Sequence, residues 1–367
     1  ASPGAAKLEL QLVRWMCELV GYPDSAAGDL TSGGSLATLS ALVTARDARQ
    51  LRSASIPQAC VYLTRQTHHC ISKALHVAGL GEVQQRYVPM NAHHRMDATA
   101  LGKMMAQDRS QGLTPWVAVA SAGTTDTGAV DPIAAVADQC REHGAWLHVD
   151  AAYGGFFLLC EEGREILTGM EQADSIVMDP HKGLGLPFGT GAVLVRQGQL
   201  LAESNAFYAD YLQDARHRKL DLQAEYSPAD YSPELSRHFR GPRMWLPLKL
   251  FGLKPFRAAL AEKIWLARYF HQEINRLEGF ETGPFPDLSI VVFRYVPAGG
   301  DADEFNRKLL DTVHQDGKVF ITSTRIEGKF AMRLAVLNFR THREQIDYLL
   351  NLLSRNSRDI TINRSKS

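Results

Sequence analysis

A lysine that follows an apolar run is either solvated, as most lysines are, or desolvated, with a lowered pKa, and ready to attack a carbonyl carbon. Lys182 stands at such a place, in Asp179-Pro180-His181-Lys182-Gly183. Asp150 stands at another, in His148-Val149-Asp150-Ala151-Ala152-Tyr153-Gly154-Gly155, where small residues follow the carboxylate and leave room for something flat. A buried aspartate needs a cation or hydrogen bonds; a helix cap or a metal ligand are its other uses. Thr31-Ser32-Gly33-Gly34-Ser35 precedes a helical run through Ala45. Glycines there let backbone N–H groups approach an anion at a helix start, though the run is neither GxxxxGK[ST] nor GxGxxG. His68, with His69 beside it, and the hydroxyls of Gly123-Thr124-Thr125 complete the set. Each alone is ordinary: a turn, a surface histidine, a polar bend, a solvated amine.

The elements that must position them alternate along the chain. Lys7–Val20 has a helical period, with Leu8, Leu12, Trp15, Met16 and Leu19 on one face. Val61–Thr64, Trp116–Ser121, Ala145–Val149, Ser175–Met178 and Gly191–Val195 read as strands, with helices near His68–Ala78 and Pro132–His143 between them. Such alternation predicts an α/β unit with a mostly parallel sheet and helices on both faces. The candidate residues then fall at strand exits, where open α/β sheets bind ligands. Residues 203–244 break the pattern with a polar stretch. After it come a helix from Lys254 to about Leu277, a strand Ser289–Tyr295, a helix Asp301–Gln315, strands Val319–Thr322 and Phe330–Val336, and a helix from His342. We expect an N-terminal helical segment over 1–20, a large domain over 21–252 with a loop near 203–232, and a small α+β domain over 253–367, frayed from Asn356.

Composition narrows the function class. Forty basic and forty acidic residues cancel, so no global field favours nucleic acid or a membrane surface. No long apolar run predicts a membrane span. Five cysteines with no CxxC argue against a disulfide framework or a structural zinc site, which predicts no metal and a reducing, cytoplasmic setting.

Taken together, the five segments offer an anion cradle, a ring-stacking group, a carboxylate wanting a cation and an amine wanting a carbonyl. Pyridoxal 5′-phosphate (PLP) needs that set. Asp150 would keep its pyridine nitrogen protonated, and Lys182 would bond it, about one strand–helix–strand unit further along.

HVDAAYGG followed by DPHKG, with TSGGSLAT and THHCISKA upstream, resembles the group II PLP-dependent amino-acid decarboxylases, which include the aromatic-L-amino-acid, histidine and glutamate decarboxylases. The resemblance runs from Ser2-Pro3 to Arg333-Leu334. It implies fold type I of the PLP enzymes (aspartate-aminotransferase-like), a homodimer with sites at the interface, and decarboxylation of an L-amino acid, aromatic by first expectation. It implies that Lys182 binds PLP with His181 beside it. Asp150 would pair with the pyridine nitrogen, Ala152 would lie against the ring, and His68 would stack on its other face and assist proton transfer. Gly34 and Ser35 would hold phosphate, and Thr125 would stand near cofactor and substrate carboxylate. Tyr211, followed by Leu212 as in the family, would protonate the substrate carbon from a loop that reaches the neighbouring subunit's site. Relatives that form aldehydes often carry Phe there, so Tyr211 favours simple decarboxylation over an aldehyde-forming or lyase outcome, and the intact Lys182, Asp150 and His68 speak against a non-catalytic homologue.

Three departures stand out. The chain opens where relatives have a preceding segment that packs on the partner and supplies part of the pocket. Asp179 stands where several relatives have Asn near the phosphate, and a carboxylate there repels phosphate unless it points away or binds a donor. Gly183 follows the lysine where relatives acting on aromatic amino acids often have Trp.

Overall fold

A computed structural model describes residues 2–206 and 227–364. Seven strands form the larger sheet: β1 (Ala27–Thr31), β2 (Ala59–Leu63), β3 (Gln84–Tyr87), β4 (Thr114–Ser121), β5 (Trp146–Ala151), β6 (Ser175–Met178) and β7 (Gly191–Val195). Their order is β1-β7-β6-β5-β4-β2-β3. Neighbours pair in parallel from β3 across to β6, whereas β7 runs antiparallel to both β1 and β6. This is the mostly parallel α/β sheet of fold type I, with one reversed strand.

Side chains alternate faces along each strand, and both faces are dry. Leu147, Val149 and Ala151 of β5 join Leu12, Val13 and Met16 of the helix Pro3–Val20 and Ile133, Val136 and Ala137 of the helix Ile133–His143. Val117, Val119 and Val177 face the other way, onto Ala37, Ala41 and Leu42 of the helix Gly34–Ala48 and Ile71 and Leu75 of the helix Cys70–Val77. The N-terminal helix is therefore part of the main core. Strand β3, half-buried and reading Gln-Gln-Arg-Tyr, lies at a sheet edge, where it has no apolar alternation to reveal it.

The C-terminal part builds an antiparallel sheet, β10-β11-β9-β8, from β8 (Phe280–Thr282), β9 (Ile290–Tyr295), β10 (Thr322–Ile326) and β11 (Lys329–Ala335). The helix Lys254–Ile274 serves both units: Leu260 and Ile264 belong to the large core, Phe270 and Ile274 to the small one. Two expectations are corrected here. The strand expected at Val319–Thr322 is Thr322–Ile326 instead. Glu327 and Gly328, both at positive φ, form a two-residue hairpin turn that sets the register Ile326↔Lys329. The tail expected to fray from Asn356 continues as one helix, Arg343–Arg364. Arg355, Arg358 and Asp359 are exposed, Ile360 packs against the core, and Asn356 Nδ2 donates to Thr312 Oγ1 at 2.9 Å.

Candidate functional site

The exits of β1, β2, β4, β5 and β6 converge on one cavity of about 420 Å³. Gly34, Ser35, His68, Thr125, Asp150, Ala152, His181 and Lys182 all line it. Tyr211 and neighbouring Tyr208 lie outside the described residues, as does most of the 203–232 loop.

Asp150 is the penultimate residue of the central strand β5, beside Ser121 of β4 and Val177 of β6. Its Oδ1 accepts the Ala152 N–H at 3.1 Å; among the described residues its Oδ2 takes no hydrogen bond. An acceptor is thus left over for a cationic donor. Across from it, a ring nitrogen of His68, Cys70 Sγ and a carboxylate oxygen of Asp150 lie within 4.8 Å of one another. His68 Nδ1 accepts the Cys70 N–H at 3.2 Å, so the neutral ring carries its proton on Nε2. Burial lowers the His68 pKa, with Asp150 opposing, and so keeps the ring uncharged. Burial also pushes the Cys70 thiol up to about 12, which keeps it protonated.

The glycine-rich turn leads into the fifteen-residue helix Gly34–Ala48, and no side chain caps that helix. Leu36 and Ala37 already donate to the Gly33 carbonyl, which leaves the first N–H groups, those of Gly34 and Ser35, for an anion. The reversed strand β7 begins against this turn. A Cβ on Gly191 would stand 2.6 Å from Gly33 Cα and 2.7 Å from Asp179 Oδ1, so only glycine fits.

Lys182 follows β6. Its side chain is 41% exposed and open to the cavity, and its Nζ lies 3.1 Å from Asp179 Oδ2. His181 Nδ1 donates to the Thr190 carbonyl at 2.5 Å, and its Nε2 faces the same Asp179 oxygen at 3.7 Å. Asp179 is 1% exposed, and its buried Oδ1 has no partner among the described residues. Burial raises its pKa, against the pull of Lys182 and then His181. The carboxylate flagged as a departure thus binds a cationic donor.

Sequence reasoning missed Cys70, Thr38 and Phe188. Cys70 sits two residues past His68 with Thr38 Oγ1 3.7 Å from its Sγ, so helical spacing from Gly34 and His68 was the available signal. Phe188, 86% exposed, stands at the cavity in a glycine-rich stretch that has no periodicity.

The residues present fit pyridoxal phosphate. An uncapped helix start would offer N–H groups to its phosphate, an open carboxylate oxygen would suit its ring nitrogen, and a lysine Nζ shares the same cavity. Comparison with known proteins agrees. The pyridoxal-dependent decarboxylase conserved domain matches residues 1–296. An aromatic-L-amino-acid decarboxylase of Bacillus atrophaeus is 34% identical over 99% of this chain and 75% of its own length. A phenylacetaldehyde synthase of Arabidopsis thaliana is 30% identical over 91% of this chain and 70% of its own. The crystal structure of Oryza sativa TDC with PLP and tryptamine superposes with a TM-score of 0.89 at 30% identity, over 98% of this chain and 77% of that one.

Proposed function

The chain belongs to the pyridoxal-dependent decarboxylase family and is a PLP-dependent amino-acid decarboxylase; from that premise we propose that it converts an aromatic L-amino acid to its amine, with the residues of the one cavity in the following roles. Lys182 holds the cofactor through Nζ. Asp150 Oδ2 accepts from the ring nitrogen and keeps it protonated. Gly34 and Ser35 hold the phosphate through their free N–H groups. His68 covers one ring face and Ala152 the other, while Thr125 and His181 stand at the rim. Bound, the cofactor supplies a sink for the electron pair left at Cα when carbon dioxide departs. The protein's share is to hold charge and move protons. Tyr211 donates a proton to Cα, and His68 assists.

The observation that carries this reading is the meeting of Lys182, Asp150, His68 and an uncapped helix start around one cavity, from four separate strand exits. Carbon dioxide and amine product measured for each common L-amino acid, with PLP present, tests it. Tryptophan, tyrosine or phenylalanine should turn over fastest; preference for an acidic substrate, or no carbon dioxide from any, refutes the aromatic assignment. An aldehyde-forming reaction is the second reading, favoured by the likeness to phenylacetaldehyde synthase. Oxygen consumption and aldehyde measured beside amine separate the two, and Tyr211 favours the amine.

The enzyme works as a homodimer with its sites at the interface. Phe188, Leu235, Leu250 and Phe251 are each more than 60% exposed, large apolar side chains whose exposure supports burial against a second copy. Sedimentation at micromolar concentration should give twice the chain mass. Among the described residues no helix is long and apolar enough to cross a membrane, and all five cysteines are free and buried, which fits a reducing compartment such as the cytoplasm.

A further inference from the structure

Lys182 and Asp179 present two difficulties that share one solution. An ammonium has no lone pair with which to attack an aldehyde. Nζ lies 3.1 Å from a carboxylate oxygen, in the geometry of an ion pair. A phosphate dianion in the glycine-rich turn, meanwhile, would sit over a buried carboxylate. A Cβ on Gly34 would lie 3.0 Å from Asp179 Oδ2, and one on Gly191 2.7 Å from Oδ1, so Asp179 packs directly against that turn. Among the described residues its Oδ1 has no partner to share the charge.

We propose that Asp179 takes the ammonium proton of Lys182 when the cofactor's phosphate enters the turn, so that phosphate binding itself arms the lysine. The inference rests on Lys182 being the residue that bonds the cofactor. An Nζ–H bond breaks and an Oδ2–H bond forms, and the pair's net charge stays at zero. The freed lone pair on Nζ bonds the aldehyde carbon. The two hydrogens remaining on Nζ leave with the carbonyl oxygen as water, and Asp179 keeps its proton.

The surroundings favour the transfer. Burial has already raised the proton affinity of Asp179, and Asp150 on the neighbouring strand pushes it the same way. His181, tied through Nδ1 to the Thr190 carbonyl, keeps its Nε2 3.7 Å from the same Asp179 oxygen, too far for a hydrogen bond, so Lys182 Nζ is the donor that oxygen meets. A phosphate entering the turn, against which Asp179 packs, adds negative charge beside the carboxylate and raises its proton affinity further. Once neutral, Asp179 no longer repels the phosphate.

The test compares the full chain, freed of cofactor, with Asp179→Asn, which keeps the shape and loses the proton acceptor. Stopped-flow growth of the visible band on mixing with PLP reads bond formation at Lys182. General-base losses run to roughly a hundredfold or more, and the variant should be slower by at least about tenfold. Pyridoxine 5′-phosphate, which lacks the aldehyde, should bind the variant as tightly as the parent or more tightly, which also shows that the variant is folded. A second measurement needs no variant. Pyridoxal without its phosphate should react slowly with Lys182 of the parent, and added inorganic phosphate should speed it. Equal band growth in parent and Asp179→Asn overturns the role of Asp179 while leaving Lys182 in place, and so does a pyridoxal rate that phosphate does not raise. A parent that forms no band with PLP overturns the assignment of Lys182 itself.

Discussion

Arg237→Met would leave two buried carboxylates without their cation. Arg237 Nη1 donates to Asp29 Oδ1 on β1, and its Nη2 donates to Glu9 Oε2 of the N-terminal helix at 3.0 Å and to the Leu30 carbonyl at 2.8 Å. The side chains of Arg237, Glu9 and Asp29 are 8%, 5% and 0% exposed. Removing one partner of a buried pair typically costs about 3–5 kcal/mol, and that is the loss expected at pH 8. The pH dependence is a sharper test. Burial pushes the Asp29 carboxyl from 3.8 up to about 7, with Arg237 pulling against it. Between those two values the folded chain holds a proton that the unfolded chain has released. Stability therefore falls as pH rises through that window, by about 1.4 kcal/mol per unit, and levels off above it. Without Arg237 the carboxyl moves higher, so the variant goes on losing stability above pH 7 where the parent levels off. The parent, its Asp29 half protonated at pH 7, still loses about 0.4 kcal/mol by pH 8, so the deficit should grow by about 1 kcal/mol between the two. Urea unfolding followed by tryptophan fluorescence at pH 6, 7 and 8 measures this, with protein and cofactor concentrations fixed. Adding Asp29→Asn to the variant should flatten the extra slope. A deficit below about 1 kcal/mol, or one equal at all three pH values, would refute the reasoning.

Asp150→Ala should still bind PLP through Lys182 and the phosphate turn, yet lose turnover by roughly two orders of magnitude or more; a rate near the parent's would exclude the electrostatic role. Tyr211→Phe should shift product from amine toward aldehyde, with oxygen consumed, and unchanged amine output, or the same shift from Tyr208→Phe alone, would move the proton donor elsewhere. Mixed with Lys182→Ala subunits, it should regain amine formation if the loop serves the partner's site; silence after proven subunit exchange would place the loop's action within one subunit. Gly191→Ala drives a Cβ into Gly33 and Asp179 and should cost about 1–3 kcal/mol of stability along with PLP affinity. Equilibrium dialysis showing undiminished affinity would mean that the phosphate lies elsewhere.

What the sequence determined by itself was which chemically capable residues gather at the strand exits. Lys182 and Asp150 were legible because each stands where an apolar run gives way to small or polar residues, and His68 and Gly34 because they sit in polar or glycine-rich stretches that open helical runs. The buried strands β4, β5, β6 and β7 were legible for the first of these reasons. Tertiary structure alone decided the rest. The reversal of β7, the polar edge strand β3 and the hairpin register at Glu327-Gly328 depend on which strand lies alongside, and the propensities of their own residues do not encode that. The helix through Arg364 is held by contacts with a distant helix, so its polar residues read as a loose end. Whether Asp179 faces solvent, phosphate or Lys182 is a question of side-chain direction at a turn. Asp29 and Arg237 stand 208 residues apart; nothing local to either announces an ion pair, because what joins them is the energetic cost of burying either charge alone, and that cost exists only once the chain has closed around both.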